Sequence, residues 1–394
     1  MSGSYFEFFC PVKIVAGFAA LEHIAYELGA RSASKPLIIT DKGVRSVGLV
    51  EVVQNALKSA GVSAPLVFDD VPQDSATNTV TAIAKLYRSE GCDSIIAIGG
   101  GSVIDTAKAA NILASEGGQD LTAYAGTNVV KRRLRPLFVL PTTSGTGSEV
   151  TAVSVVKDSN SGMKLPFVSP YLLPDVAVLD PRMTIGLPPF FTAATAMDAM
   201  THAAEAFTCL GKNPLSDSYA KAAIQKVASN VVAVLDEPSN KERRLELALA
   251  ATMAGIAFSN SMVGMVHALG HTIGAVTHVP HGVCMSILLP YALEYNLDAR
   301  RQVIGELLLP LAGPDVYAKT LERDRPQAAI TAIRSLREAL WQKAKLPRSL
   351  SETGKITRDQ LPEIARLSLD DGPMIMNPVE VSYQDALRVL ERAF

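Results

Sequence analysis

The sequence has few cysteines, few aromatic residues and no excess of charge of either sign. Aromatic residues make up 6% of the 394-residue chain, and there is one tryptophan. The four cysteines form no Cys-x-x-Cys pair, so we expect no disulfide framework and a reducing compartment. The 37 Lys and Arg against 39 Asp and Glu give a net charge of -2, which argues against nucleic acid as the main partner.

Long apolar runs are also missing. No uncharged apolar stretch of about 18 residues occurs, and the first residues lack a basic segment followed by an apolar core. We therefore expect a cytoplasmic protein with no membrane segment. Apolar residues are nevertheless abundant, at 48% of the chain, so a chain of this length is expected to bury a large core and to form two domains.

The order of sequence patterns predicts an α/β first part followed by a helical part. Up to residue 187, β-rich runs alternate with helix-patterned segments, which predicts a mostly parallel sheet covered by helices. The predicted strands lie at 36–40, 65–68, 94–98, 136–140 and 176–179, with an inserted hairpin formed by 150–156 and a run around Lys164. From Pro188 onwards the pattern is helical almost to the end, so we expect domains at 1–187 and 188–394.

Two turns rich in glycine and hydroxyl groups follow predicted strands. In SIIAIGGGSVIDTAK, three glycines at 99–101 lie between a strand and a helix, where free N–H groups and the helix dipole can bind a pyrophosphate. The third glycine of GxGxxG is absent, because Ile104 takes its place. The alternative is a plain strand-to-helix turn in which Ser102 caps the helix and Asp105 completes a capping box.

The second turn, PTTSGTGSE, spans residues 141–149 and follows the next predicted strand. Two donor-rich turns at the carboxyl ends of strands are the arrangement that open α/β sheets use for nucleotides. Asp41 ends the strand at 36–40, where a carboxylate can accept hydrogen bonds from the adenosine ribose and repel a 2′-phosphate. This pattern favours NAD over NADP, although an ordinary Asp-Lys-Gly turn remains an alternative at Asp41.

Four of the six histidines fall within fifteen residues, in MVHALGHTIGAVTHVPHG. His267 and His271 are four apart and share one helix face, whereas His278 and His281 are expected in a loop that begins near Thr277.

A second segment, ATAMDAMTHAAEAF, places Asp198 and His202 four apart as well. Two helices that each turn a pair of such side chains inward can enclose one divalent cation. A carboxylate with imidazoles suits Fe(II), Zn or Co better than Mg or Ca. No HExxH zinc-peptidase motif is formed, since Ala268 follows His267. The alternative is a set of core histidines satisfied by backbone carbonyls.

Five segments, in their order and spacing, resemble the iron-dependent (group III) alcohol dehydrogenase family: GGGSVIDTAK, PTTSGTGSEVT, DPRMTIGLPP, AMDAMTHAAEAF and VHALGHTIGAVTHVPHG. The resemblance runs from FFCPVKIVAG near the start to NPVEVSYQDALRVLERAF at the end. It implies a dinucleotide-binding α/β domain and an all-helical metal-binding domain, a dehydroquinate synthase-like architecture, with catalysis in the cleft between them.

The resemblance also implies roles for individual residues. The metal ligands would be Asp198, His202, His267 and His281, while His271 would be a catalytic residue near the nicotinamide that does not bind the metal. The cofactor residues would be Gly99, Gly100, Gly101, Ser102, Asp105, Thr142, Thr143 and Lys164, in addition to Asp41. No ligand role falls on His278.

This sequence departs from the family pattern at two places. The usual glycine before the ligand aspartate is Ala196 or Met197 here, depending on the alignment, which should alter only helix packing. The usual Pro-Asn-Pro after the second strand reads Pro72, Gln73 and Asp74, which should alter the contacts on the adenosine side.

We therefore expect an NAD(H)-dependent alcohol dehydrogenase or aldehyde reductase that acts on small primary alcohols or aldehydes. Its metal would be Fe(II) or Zn, and it would form a homodimer or a larger homo-oligomer. The metal would act as a Lewis acid on the substrate oxygen while hydride passes to or from the nicotinamide.

Two other functions stay open. A cyclising lyase of the dehydroquinate synthase type has a similar fold and also uses NAD and a metal. It needs several basic residues for a phosphorylated acid, whereas Val266, Leu269 and Ile273 around the histidines are apolar. The other is a non-catalytic metal- or nucleotide-binding subunit. The loss of one of the metal-ligand residues would favour this function, and none of them is missing.

Overall fold

The computed structural model describes residues 5–62 and 65–394, which group into two compact units. Cys10–Leu187 form the first, called the α/β unit below. Pro188–Phe394 form the second, called the helical unit, together with the described residues that precede Cys10.

The α/β unit alternates strands with helices along the chain. Its strands are β1 (Lys13–Ala16), β2 (Pro36–Ile39), β3 (Leu66–Phe68), β4 (Ser94–Gly99), β5 (Gly126–Thr127), β6 (Leu137–Pro141), β7 (Val153–Lys157), β8 (Lys164–Val168) and β9 (Val176–Leu179). Its helices are α1 (Ile24–Gly29), α2 (Lys42–Ser46), α3 (Leu49–Ser59), α4 (Thr77–Ser89) and α5 (Gly101–Glu116).

Six of these strands form one parallel sheet in the order β1-β9-β6-β4-β2-β3. Strands β2, β4, β6 and β9 are buried at every residue, as expected where helices cover both faces of a parallel sheet. Successive residues of β4 enter opposite cores: Ile95 joins the cluster with α4 and α5, and Ile96 joins the cluster with α1 and α3.

A second, small sheet has the order β5-β8-β7. Strands β7 and β8 form the predicted hairpin, antiparallel from Val153↔Val168 to Lys157↔Lys164. The hairpin begins later than predicted, because Ser148–Val150 form a short 3-10 helix. The prediction also lacked β1, a four-residue edge strand whose side chains are mostly exposed and therefore carry no burial pattern.

The helical unit contains no strand among its residues from Pro188 onwards. Its helices are α6 (Pro189–Thr208), α7 (Pro214–Asp236), α8 (Lys241–Ser259), α9 (Met265–Thr277), α10 (His281–Tyr295), α11 (Leu297–Glu306), α12 (Leu308–Ala312), α13 (Pro314–Lys319), α14 (Arg325–Ala344), α15 (Leu361–Ser368) and α16 (Tyr383–Ala393). The α/β first part and helical second part confirm the predicted fold class. None of the helices in the described chain is both long and apolar enough to cross a membrane.

Helix α6 lies at the centre of the helical unit, where it packs against α7, α8 and α10. Nearly all of its residues from Thr192 to its end are buried, and many of them are alanines. These small side chains allow the neighbouring helices to approach closely. Polar side chains on α6 are consequently placed inside the unit, away from solvent.

One expectation about the histidine segment is wrong. His281 does not lie in a loop; it is the first residue of α10. His278 ends α9 with a left-handed φ of 56°, and Pro280 stands at the N-cap of α10. The connection is therefore only three residues long, and a helix start determines where His281 lies.

Candidate metal centre and cofactor turns

Asp198, His202, His267 and His281 converge inside the helical unit. The first two lie on α6, the third on α9, and the fourth begins α10. One ligand-type atom of each residue lies within 4.8 Å of that of every other. Oδ1 of Asp198 is 3.2 Å from Nε2 of His281 and 3.7 Å from Nδ1 of His202.

Three polar atoms of this cluster are buried and have no hydrogen-bond partner among the described residues. They are Oδ1 of Asp198, Nδ1 of His202 and Nε2 of His267. A buried polar atom without a partner destabilises a fold by about 1–3 kcal/mol, so three in one cluster need an explanation. Core histidines satisfied by backbone carbonyls do not provide one, whereas a shared cation would accept all three lone pairs. The donor set fits a divalent first-row metal.

Burial also sets the protonation states of the cluster. It lowers the pKa of His202 to about 3 and holds the pKa of His267 well below its ordinary value. Both imidazoles are therefore neutral at pH 7. Burial alone would raise the pKa of Asp198, but the rings of His202 and His281 hold that pKa below its ordinary value. An ionised carboxylate with neutral imidazoles is the protonation state that metal binding requires.

Gly282 explains how His281 reaches Asp198. A Cβ at Gly282 would lie 2.3 Å from the carbonyl oxygen of Ala194, a distance that no side chain tolerates. Only glycine therefore lets the first turn of α10 pack against the turn of α6 that precedes Asp198.

Glu205 supports His267 and is absent from the sequence predictions. The carboxylate is buried, and its Oε2 lies 2.5 Å from Nδ1 of His267. When Nδ1 of His267 carries the ring proton and donates it to Glu205, the Nε2 atom keeps a free lone pair. This arrangement is typical of metal-binding histidines. The sequence does contain a signal for it: Glu205 follows His202 by three positions and shares its helix face.

Glu205 also caps α9. The N-cap residue, Gly264, has no side chain that could accept a hydrogen bond. The N–H of Val266 instead donates to Oε1 of Glu205 over 2.7 Å, and the N–H of Met265 donates to Oδ1 of Asn377 over 3.4 Å. Burial raises the pKa of Glu205 to about 7, while the backbone N–H donors lower it. One carboxylate therefore fixes both the start of α9 and the ring of His267.

His271 lies beside the cluster and outside the set of converging ligand atoms. Its ring stacks on that of His281 with 5.3 Å between centroids, and its side chain is 44% exposed. Nδ1 of His271 is 2.8 Å from Oδ2 of Asp371. His278 is placed elsewhere: its carbonyl oxygen accepts a hydrogen bond from Nζ of Lys355.

The two donor-rich turns of the α/β unit pack against each other. Strands β4 and β6 are neighbours, and the N–H of Thr142 donates to the carbonyl oxygen of Gly99 over 3.0 Å. A Cβ at Gly101 would lie 3.0 Å from Cγ2 of Thr146, and one at Gly100 would lie 3.5 Å from the side chain of Thr143. The contact at Gly100 would be an ordinary one, so it is the missing side chain of Gly101 that lets Thr146 of the second turn approach the start of α5 so closely.

The capping-box interpretation of Ser102 and Asp105 is wrong. Helix α5 begins at Gly101, with Gly100 as its N-cap. The hydroxyl of Ser102 donates to the carbonyl oxygen of Gln73, within the Pro-Gln-Asp segment. Oδ2 of Asp105 accepts from the N–H of Val155 over 3.0 Å, and burial raises the pKa of Asp105 to about 6. Ser102 binds a neighbouring loop and Asp105 binds strand β7, so neither side chain caps the helix.

Asp41 and Lys164 lie outside this pair of turns. Asp41 follows β2, and β2 is the neighbour of β4 in the sheet. Asp41 and the turn that follows β4 therefore lie at the same carboxyl edge of the sheet. Its Oδ1 accepts from the N–H of Val44 over 2.8 Å and caps α2, which is the ordinary turn role. Lys164 is the exposed first residue of β8.

A parallel α/β unit with paired donor-rich turns and a helical unit with a buried Asp–His cluster define a nucleotide- and metal-dependent enzyme. Residues 11–181 match the family described as iron-containing alcohol dehydrogenase, and residues 192–394 match the C-terminal part of the Fe-containing alcohol dehydrogenase family. The chain belongs to the iron-containing alcohol dehydrogenase family.

Individual relatives agree with this assignment. The chain is 34% identical to 1,3-propanediol dehydrogenase of Klebsiella pneumoniae over 398 residues, with 100% of each chain covered. It is 32% identical to alcohol dehydrogenase 4 of Saccharomyces cerevisiae over 389 residues, with 98% of each chain covered. A crystal structure of a 1,3-propanediol oxidoreductase matches with a TM-score of 0.94 at 32% identity, covering 99% of this chain and 100% of that one.

The predictions of family, enzyme class and cofactors are thereby confirmed. The protein is an NAD-dependent alcohol or aldehyde oxidoreductase that contains a divalent metal. One solved relative, sulfoacetaldehyde reductase of Bifidobacterium kashiwanohense, is in complex with NAD+ and matches with a TM-score of 0.88 at 28% identity, covering 99% of each chain.

The contacts of Glu205 generate a testable prediction. Glu205→Gln removes the carboxylate that accepts from His267 while keeping the size of the side chain, so we expect metal affinity to fall about 10–100-fold. Metal analysis after equilibration against chelator-buffered iron measures this. Glu306→Gln is the matched control. The carboxylate of Glu306 pairs with Lys221, and both side chains are much more exposed to solvent than Glu205. Equal metal affinity in the two variants would contradict the role given to Glu205.

Proposed function

We propose that Asp198, His202, His267 and His281 bind the metal of an enzyme that interconverts small primary alcohols and aldehydes. The observation that supports this most directly is the set of three buried polar atoms without partners, which face one another across the cluster. When bound, the metal supplies Lewis-acid chemistry, lowering the pKa of an alcohol or polarising an aldehyde carbonyl.

The protein side chains hold that site in a defined charge state. Asp198 contributes one negative charge, and the neutral rings of His202 and His267 contribute lone pairs. Glu205 keeps the Nε2 atom of His267 free of a proton.

His271 is proposed as the catalytic residue that exchanges a proton. Because Asp371 accepts from Nδ1, the Nε2 atom of His271 is available to a substrate hydroxyl or to water. A further ligand would occupy the position that the substrate oxygen requires, so His271 is assigned no metal-binding role. Its side chain is 44% exposed, which gives a transferred proton a route to solvent.

On the α/β unit, we propose that NAD(H) binds along the carboxyl edge of the sheet. The free N–H groups at the start of α5 suit the pyrophosphate. The proposed contacts are Gly99, Gly100, Gly101, Ser102, Asp105, Thr142, Thr143 and Lys164, with Asp41 at the adenosine ribose. Ser102 already binds the loop at Gln73, and Asp105 already binds Val155 of β7, so we propose that they shape the turn as well as contact the cofactor.

Small substrates are proposed because of the walls of the cluster and the names of the relatives. Phe258 stacks on the ring of His202, with 4.3 Å between centroids, and so forms an aromatic wall of the cluster. Curated relatives include a 1,3-propanediol dehydrogenase and an NAD-dependent methanol dehydrogenase of Bacillus methanolicus.

The wider organisation is also part of the proposal. We place the boundary between a cofactor domain, 1–187, and a metal domain, 188–394, at Pro188, although the described residues before Cys10 group with the helical unit. A cytoplasmic location is supported by Cys10, Cys92, Cys209 and Cys284, all of which are free thiols. We also propose a homo-oligomer, because the edge strand β1 pairs only with β9 among the described strands.

The proposed reaction is tested by following NADH absorbance with a panel of short aldehydes and iron-loaded protein kept free of oxygen. We expect NADH to be consumed in equal amount to the aldehyde, with short primary aldehydes preferred over ketones and over long-chain aldehydes. Preference for a long-chain or secondary substrate would contradict the proposed substrate class.

Two histidine variants separate metal binding from proton exchange. His267→Ala removes a ligand, so the purified protein should contain little metal while NADH affinity stays near that of the wild type. His271→Ala should retain the metal and lose rate. Metal analysis beside kcat measures both effects. An empty His271 variant with a full His267 variant would mean that the two roles are reversed.

Replacement of Asp41 tests cofactor choice. Removing its charge should relieve the repulsion of the 2′-phosphate and increase kcat/KM for NADP(H). Asp41→Gly also deletes the cap of α2, whereas Asp41→Ser keeps a hydroxyl that can accept from Val44. We expect both variants to gain NADP(H) use and only the glycine variant to lose stability, by roughly a few tenths of a kcal/mol. Equal use of both cofactors by the unmodified protein would refute the role of Asp41.

A further inference from the structure

Lys108 is a lysine with no exposed surface, located in the third turn of α5. Its ammonium group donates to the carbonyl oxygen of Thr151 over 2.7 Å, to Oγ1 of Thr151 over 2.9 Å and to the carbonyl oxygen of Val153 over 2.9 Å. All three N–H donors of the ammonium are thus satisfied, and all by one short segment of chain.

That segment connects the turn at 141–149 to the hairpin. Thr151 follows the 3-10 helix that ends the turn, and Val153 begins β7. Asp105, one helical turn before Lys108, holds the next residues: its Oδ2 accepts from the N–H of Val155, and its carbonyl oxygen accepts from the hydroxyl of Ser154. One face of α5 therefore holds residues 151–155.

The other end of the same turn is held by the sheet. Thr142 follows β6, and its N–H donates to the carbonyl oxygen of Gly99. Without the contacts of Lys108, the turn would keep its attachment to β6 and lose much of its attachment at Thr151. The strands of the sheet would remain paired, because Lys108 touches none of the strands of the six-stranded sheet through its ammonium.

Burying an ammonium group is unfavourable, and lysine is almost never fully buried unless it is paired. Burial lowers the pKa of Lys108 to about 8, opposed by the nearby carboxylates of Asp105 and Glu149. An apolar side chain of similar length could fill the same space, but it would leave the carbonyl oxygens of Thr151 and Val153 without this donor. Packing alone therefore does not explain the charge, whereas three directed hydrogen bonds to one segment fix the position of that segment.

We propose that Lys108 is a positioning residue for NAD(H): it holds the turn at 141–149 in the place where it and the start of α5 together receive the cofactor. This inference rests on the cofactor site proposed above. It assigns to Lys108 an effect on the binding of NAD(H), with no part in hydride transfer and no part in metal binding.

The test compares Lys108→Met with the wild-type holoenzyme. Methionine keeps the length of the side chain and removes the three donors. We expect the NADH dissociation constant, measured by fluorescence titration, to rise about tenfold through lost preorganisation of the turn. At saturating NADH, kcat and metal content should stay within about twofold of wild type. A lysine with only a structural role would lower the melting temperature and leave the dissociation constant of the folded protein unchanged.

Two further variants complete the design. Lys85→Met, at an exposed position on α4, makes the same change of charge without a buried contact, and should bind NADH like the wild type. Thr151→Val removes one of the three acceptors and should weaken NADH binding less than Lys108→Met does. If Lys108→Met fails to fold, Thr151→Val decides: weakened binding supports the proposal, and unchanged binding overturns it.

Gly101→Val separates failure of this inference from failure of the cofactor site. A side chain at Gly101 crowds Thr146 at the junction of the two turns, so NADH binding should weaken if the cofactor lies there. Wild-type affinity in this variant would overturn the cofactor site and the inference with it. Weakened binding in Gly101→Val beside unchanged binding in a folded Lys108→Met would overturn the inference alone.

Discussion

Helix α6 buries two carboxylates and an imidazole on one face, and the arrangement of the helical unit around the metal centre depends on how these groups are satisfied. Asp198, His202 and Glu205 follow one another at spacings of four and three. Glu205 is satisfied within the protein, by the first N–H groups of α9 and by His267. The other two keep atoms without partners. The same helix thus fixes the position of α9 through one residue and leaves lone pairs for a cation through the others, which couples metal binding to the packing of α6 and α9.

In the α/β unit, too, a buried charged group fixes the position of a neighbouring segment, but here the group is a cation. Lys108 places a buried ammonium in α5 and satisfies it with a segment that follows the second turn. Gly101, at the start of α5, has no side chain that would crowd Thr146 of that turn. The missing side chain of Gly101 lets the second turn come close to α5. The hydrogen bonds of Lys108 to Thr151 and Val153 fix the position of the segment that follows this turn. In both units, a buried ionic group that adds little stability by itself fixes the position of a neighbouring segment that carries the chemistry.

Much of this could be read from the sequence, and the omissions have physical causes. The buried strands β2, β4, β6 and β9 were predictable, because a run of apolar β-branched residues between turns has few other solutions. Strand β1 was not, since its exposed side chains follow no pattern. The helix start at His281 depends on a left-handed His278, which sequence periodicity does not report. Glu205 and Lys108 lie in recognisable motifs, but their partners are distant in sequence: Glu205 binds Val266, and Lys108 binds Thr151. Helical periodicity shows which face a residue occupies and gives no information about the distant segment that meets it.

Two of the four clustered histidines are closed to solvent, whereas the side chains of His281 and His271 are 38% and 44% exposed. His202 and His267 are buried, and burial keeps them neutral, so each offers a lone pair and neither exchanges protons readily. His271 is about half exposed and has its own carboxylate partner in Asp371. A group that transfers protons needs a route to water, and burial protects His202 and His267 from it. The alanine-rich surface of α6 and the close contact at Gly282 create that protection, because they let helices close over the cluster. Packing by small residues therefore protects His202 and His267, while His281 and His271 are distinguished by their carboxylate neighbours, Asp198 for His281 and Asp371 for His271.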